Sequence, residues 1–359
     1  MRTIESVSSF WVFLGAVLFP LGLLASARYT WLHIGASVVG GFTLFCLAVS
    51  LPLYSSIVGG RPRGAVEWGL ALSSYILSTV SAVAVGAGLW RQGLLALALS
   101  MLAALVFTLI QVSGAKPPRA RVASIPVPFI VALASIAYSI VVGMDPLDSL
   151  IVYGFWFAPL LVMVVGGVFL KGLYGGGRYI IHHVIVAVYV AGLTVHLSYS
   201  WRLGAAIAGV AMLLHILYMS PWRGPGLRIK SHIGHMSQVL GPAAMLFYIA
   251  SEHDMLNVMH VALLSFALPG VYTQAPLLAP MIVSSTWRRK RWIGLSPLIA
   301  SLAGIVRPVL EDLSLLLLSI SYIILLAELN PSPRRIYYII RYGTEEGYLR
   351  SYLDAVKQS

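Results

Sequence analysis

Charge and cysteine are what this 359-residue sequence has least of. Only 10% of its residues are charged, while 59% are hydrophobic. A chain so poor in charge cannot cover a solvated surface, which excludes a soluble globular enzyme and points to a polytopic membrane protein. The single cysteine, Cys46, lies in an apolar run, so no disulfide framework and no cysteine-based metal cluster is expected. The chain holds two Asn and five Gln, and a scarcity of heat-labile residues fits a thermophile. No acidic residue falls deep within an apolar run, so carboxylate ligands at depth and proton pumping are not expected. The net charge of +12 sits between the apolar runs. That placement suits a bilayer surface and excludes nucleic acid as the partner.

Twelve apolar runs are long enough to span a bilayer. They cover approximately residues 7–27, 30–58, 65–89, 93–112, 125–143, 147–170, 178–199, 202–220, 229–251, 254–285, 292–310 and 312–329. The fold class expected is therefore all-α, with one transmembrane domain over 1–330. Segments following even-numbered runs carry Arg61, Arg63, Lys116, Arg119, Arg121, Lys171, Arg178, Arg223, Arg228, Lys230 and the four cations of 288–291. Those following odd-numbered runs hold only Arg28, Arg91, Arg202 and Arg307. The bias of Lys and Arg toward the cytoplasm then places both termini inside, in a multi-pass protein of the plasma membrane. Residues 331–359 form a cytoplasmic tail whose RRIYYIIRY stretch reads as an interfacial amphipathic helix. The tenth run contains Pro269, Pro276 and Pro280, which predicts a kinked or broken helix.

The seventh run, RYIIHHVIVAVYVAGLTVHLSY, carries His182, His183 and His196. At about 100° and 1.5 Å per residue, His182 and His196 share a face and stand about 21 Å apart, one toward each membrane surface. An ionisable side chain within a span is costly and marks function by default. The remaining histidines sort by depth in the same way. His215, His232 and His235 join His182 and His183 toward the inner surface. His33, His253 and His260 join His196 toward the outer one.

Imidazoles converging from different helices are what b-type haem ligation requires, one on each side of the iron. The same donors suit copper or non-haem iron. The candidate cofactor-binding residues are thus His33, His182, His183, His196, His215, His232, His235 and His260, with one or two haems b and a copper ion as cofactors. Arg307, with Arg202 and Arg28, is a candidate partner for the propionates of an outer haem. Neutral histidines that only pair helices, and a snorkelling Arg307, are the structural alternatives.

Several stretches carry a family resemblance. They are WLHIGASVVGGF and LPLYSSIVGGRPRG in and after the second run, LLHILYMSPWRG in the eighth, NVMHVALLSFALPG in the tenth and LIASLAGIVRPVL in the eleventh. In outline the chain resembles the haem–copper oxidase subunit I superfamily, and more closely the NnrS family of membrane haem- and copper-containing proteins linked to nitric-oxide stress. The resemblance implies metal ligation at His33, His196 and His260. Only His33 stands where the NnrS second-span motif has two histidines and a following Glu. The sixth run, YGFWFAPLL, has no histidine, so an oxygen-reducing copper site of the oxidase kind is not expected.

Two functions follow. One is a membrane haem protein that passes electrons between quinone and a redox partner, or that handles a small gas such as nitric oxide, as an oxidoreductase or an electron-transfer subunit. The other is a multi-span transporter or metal permease using histidine for substrate or proton coupling. Against the second stands the lack of two similar halves, since eight of the nine histidines fall in the second half of the chain.

Overall fold

A computed structural model describes residues 4–25, 30–58, 64–115, 119–170, 178–220, 233–234, 236–274 and 295–329. These residues are helical between short turns, and no strand occurs among them. Helix α1 is Ile4–Ala25. Helix α2 runs through Thr30–His33, a π-helical stretch Ile34–Thr43, and Leu44–Val58. Then come α3 (Ala65–Gly86), α4 (Trp90–Ser113) and α5 (Val127–Val141). Helix α6 is Pro146–Val165, extended by the π-helical Gly166–Leu170. Helices α7 (Tyr179–Ser198), α8 (Trp201–Met219) and α9 (Leu240–Ala250) follow. Helix α10 begins as Met255–Ala262, passes through a π-helical Leu263–Ala267, and continues to Gln274. Last are α11 (Leu295–Val306) and α12 (Glu311–Leu329).

Nine of the described segments are long and apolar enough to cross a membrane, namely α1 to α8 and α10, with the fifth counted from Ala120. The protein is therefore an all-α, multi-pass membrane protein. The other three expected runs coincide with the shorter apolar α9 and α11 and with α12. The expected tail, 331–359, lies outside the described residues, as do Pro276 and Pro280.

The turns explain where the helices stop. Asp145 caps α6 by accepting from Leu147 N at 2.9 Å, with Pro146 in the first helical position where its missing N–H costs nothing. Asp254 caps α10 through Asn257 N at 2.8 Å, and Ser200 caps α8. Gly88 and Gly143, at φ of 77° and 65°, take the left-handed turns after α3 and α5.

The chain divides into two compact units. Of the described residues, those within 1–119 and 326–329 make up the first, and those within 120–274 and 295–325 the second. Within the first, α2 is held by backbone approach. A Cβ on Gly35 would fall 2.6 Å from the Ala82 carbonyl oxygen of α3, and one on Gly41 would fall 2.6 Å from Phe19 Cα of α1. Small hydroxyls join α3 to α4: Ser81 donates to Gly93 O at 2.7 Å and Ser100 to Ser74 O at 2.7 Å. In hydrocarbon, where apolar contact alone does not distinguish helix from lipid, close packing and such bonds supply the association.

Within the second unit, α6 is almost wholly buried. Its Pro159 has no N–H to give to Phe155 O, and Tyr189 of α7 donates its hydroxyl there at 2.8 Å. Pro269 of α10 likewise leaves Ser265 O open. Ser301 of α11 donates to it at 3.3 Å, while the Ser265 hydroxyl donates to Ser301 O at 2.8 Å. Gln238 donates to Phe266 O at 3.0 Å inside the π-helical stretch. Each interruption is thus satisfied from a neighbouring segment, as an interior without water demands. Helix α10 runs through Pro269 to Gln274 without a break, its hydrogen-bond pattern widening to the π-helical stretch just before that proline.

Candidate functional site

The second unit brings two of the expected histidines together. His182, on the first turn of α7, and His215, on the last turns of α8, are 0% and 2% exposed, and their ring centres stand 6.3 Å apart. They meet because α7 and α8 are antiparallel neighbours in backbone contact. A Cβ on Gly204 would lie 2.5 Å from Gly192 O and 2.6 Å from the His196 backbone nitrogen.

Helix α6 closes on the pair through the adjacent Gly166 and Gly167. A Cβ on Gly166 would lie 3.2 Å from His215 Nε2 and 3.5 Å from Gln274 Nε2. A Cβ on Gly167 would overlap the His182 ring at Cε1 and Nδ1. Only glycine lets the α6 backbone come this close, and it does so where α6 enters its π-helical stretch, a form frequent at functional sites.

The side chains that touch the two rings are polar or aromatic and carry no formal charge. His182 Nε2 lies 3.2 Å from Ser124 Oγ, and Tyr218 stacks on the same ring at 5.9 Å. His182 Nδ1 is buried with no hydrogen-bond partner among the described residues. With Nε2 engaged by Ser124, Nδ1 is the nitrogen left to take a ligand. His215 has the Phe266 ring edge-on at 6.5 Å. Gln274 donates to Val162 O at 3.2 Å and so presents its amide beside Gly166.

The other expected site residues have separate settings. His183, next to His182 in sequence, turns aside by one helical step. Its Nε2 bonds Ala120 O while the two rings stay 5.7 Å apart. His232 and His235 lie outside the described residues. His196 meets the edge of Trp156 at 5.5 Å, and His253 meets Tyr248 at 4.7 Å. His260 Nδ1 bonds Leu256 O of its own helix at 2.9 Å. His33 belongs to the first unit, where Nδ1 bonds Gly22 O at 2.9 Å. Among the described residues no group of three or more His, Cys, Asp or Glu is placed to hold a metal ion.

Two of the three expected propionate partners have contacts of their own. Arg307 pairs with Glu311 at 2.7 Å, and Arg202 lies over Trp201 and donates to Glu252 O. Arg28 is outside the described residues. Sequence reasoning passed over Ser124, Gly166, Gly167, Tyr218 and Gln274. Tyr218 had a readable signal, standing three residues after His215 and so on the same helical face. Ser124 and Gln274 had none, because only the tertiary fold carries them to the histidines.

Two buried imidazoles without a carboxylate form a donor pair of the kind that suits haem iron or copper rather than calcium or magnesium. A metal–nitrogen bond of about 2.0 Å on each side, plus the depth of each ring, places two opposed imidazoles about 6 Å apart between centres. The ring centres of His182 and His215 are 6.3 Å apart with their planes at 57°, a spacing of that order. Comparison with protein-family models, with curated proteins and with solved structures finds no match for this chain.

Proposed function

We propose that this chain is an integral-membrane redox protein in which His182 and His215 ligate one metal centre, either a b-type haem iron or a copper ion. The centre serves electron transfer with a quinone or redox protein, or the handling of a small gas such as nitric oxide, as the NnrS resemblance implies. The observation that carries this is the pair itself: two buried imidazoles from adjacent helices at the separation one metal would set. Ser124 on His182 supports it, because a ligating histidine ordinarily has its other nitrogen engaged. In this account the chain has twelve spans in the plasma membrane with both termini in the cytoplasm, which puts the His182–His215 pair toward the inner surface.

The test is spectroscopic and analytical. Protein purified in detergent from haem- and copper-replete cells is assayed by reduced-minus-oxidised spectra, pyridine haemochrome and metal analysis. A haem-b α-band or about one copper per chain supports the proposal. A monodisperse sample with neither sinks it.

A second function, that of a carrier, is favoured by one feature: α6 and α10 each combine a proline with a π-helical stretch, and side chains satisfy the opened backbone. Interrupted helices of this kind line substrate cavities in transporters. Uptake of a metal ion or small solute by proteoliposomes, by protein that holds no redox metal, would decide for it.

A further inference from the structure

A cation next to the histidine pair has no counter-ion among the described residues. Arg121 precedes α5 and reaches back to α6, donating from Nη2 to Val168 O at 3.2 Å. Its guanidinium lies over the Tyr179 ring at 5.5 Å. Its Nε is buried with no hydrogen-bond partner among the described residues. The one ion pair found among them joins Arg307 to Glu311.

Among the described residues no carboxylate pairs with Arg121. There is no Asp or Glu from residue 68 to 144, from 149 to 251, or from 255 to 310. The only acids between those limits, Asp145, Asp148, Glu252 and Asp254, lie in or beside the α5–α6 and α9–α10 turns. The first of those turns is at the far end of α5 from Arg121, and a 15-residue helix is about 22 Å long.

We propose that Arg121, with Tyr179 and Tyr218, forms a binding site for a phosphate-class oxyanion at the end of the second unit where α7 begins. The chemistry is that of a planar guanidinium fork, which matches two oxygens of one phosphate. Its position at the end of apolar helices, beside a tyrosine pair, is where headgroups lie. One Arg121 nitrogen is held by Val168 O and the ring face by Tyr179, so the fork is oriented before the anion arrives. The site adjoins the histidines: Tyr218 stacks on His182, and Ser124, three residues after Arg121, contacts the same ring. It stands whether or not His182 and His215 hold a metal.

The phosphate can come from a lipid headgroup or from solution, and the experiment separates the sources. Delipidated full-length protein is titrated with phosphatidylglycerol, with phosphatidylcholine, and with inorganic phosphate. Binding is read by native mass spectrometry for the lipids and by shift of the unfolding midpoint for phosphate. Wild-type protein is expected to bind phosphatidylglycerol about tenfold more tightly than Arg121→Gln, the loss set by charge-assisted hydrogen bonds. Arg121→Lys should fall between, since it keeps the charge and loses the fork, and Arg307→Gln should match wild type. Phosphate that binds alone and displaces the lipid identifies a soluble anion; phosphate that does neither identifies the headgroup. The proposal is overturned if Arg121→Lys binds both probes as wild type does, a result that remains decisive should Arg121→Gln fail to fold. It is also overturned if wild-type protein neither prefers phosphatidylglycerol over phosphatidylcholine nor binds phosphate.

Discussion

Ser124 Oγ lies 3.2 Å from Nε2 of His182, and this contact leaves Nδ1, buried and unbonded among the described residues, as the nitrogen available to a ligand. Under the proposed ligation, Ser124→Ala should therefore leave a metal bound while changing the basicity of the His182 ring. If Ser124 accepts from Nε2–H, its loss weakens donation to the metal and favours the reduced form. The midpoint potential is expected to rise by about 40 mV, the one-electron equivalent of a hydrogen bond worth about 1 kcal/mol. Redox titration of the variant against wild type measures this.

Gly167 is the second lever on the same ring. A methyl group there overlaps His182, and the ring has little room to yield because Tyr218 and Ser124 hold the imidazole. Gly167→Ala should cost about 1–3 kcal/mol of stability, as overpacking does, and should lower metal occupancy. Denaturant unfolding in mild detergent with metal analysis on the same sample checks both. Gly69, which a Cβ would meet nothing near, is the control position.

Much of the helical architecture was legible in the sequence because hydrophobic length is a local property. The placement of His182 and His215 near the ends of their helices was legible for the same reason. Their meeting was not. It depends on glycines 192 and 204 letting α7 and α8 touch, and on Gly166 and Gly167 bringing α6 against both rings, contacts far apart in sequence. The π-helical stretches in α2, α6 and α10 also left no readable trace, since their residues are as apolar as ordinary helix. His260 and His33 each engage Nδ1 with a backbone carbonyl nearby in sequence, a local contact that a pattern of positions does not reveal.

Tyr189→Phe tests how the prolines are tolerated. It removes the donor to Phe155 O and leaves a buried carbonyl that Pro159 cannot serve. A loss of about 1 kcal/mol is expected, near the value for interhelical hydrogen bonds in membranes. In a Pro159→Ala background, which restores a backbone N–H at that position, the same change should cost much less. Unfolding of the double-mutant cycle reads the difference.

Arg307→Gln should be nearly silent. Its partner Glu311 is more than half exposed, and exposed ion pairs contribute about 0–1 kcal/mol. Metal content and spectrum should also be unchanged, because Arg307 is engaged with Glu311 rather than with the histidine pair. A changed spectrum would return it to the site.

The measurement closest to the centre of this account is metal and haem content per chain for wild type, His182→Ala, His215→Ala and His183→Ala, purified identically and shown to be monodisperse. About one haem or one copper in wild type, lost in both His182→Ala and His215→Ala and retained in His183→Ala, is the expected result. Equal metal content in all four proteins, or none in any, would contradict it.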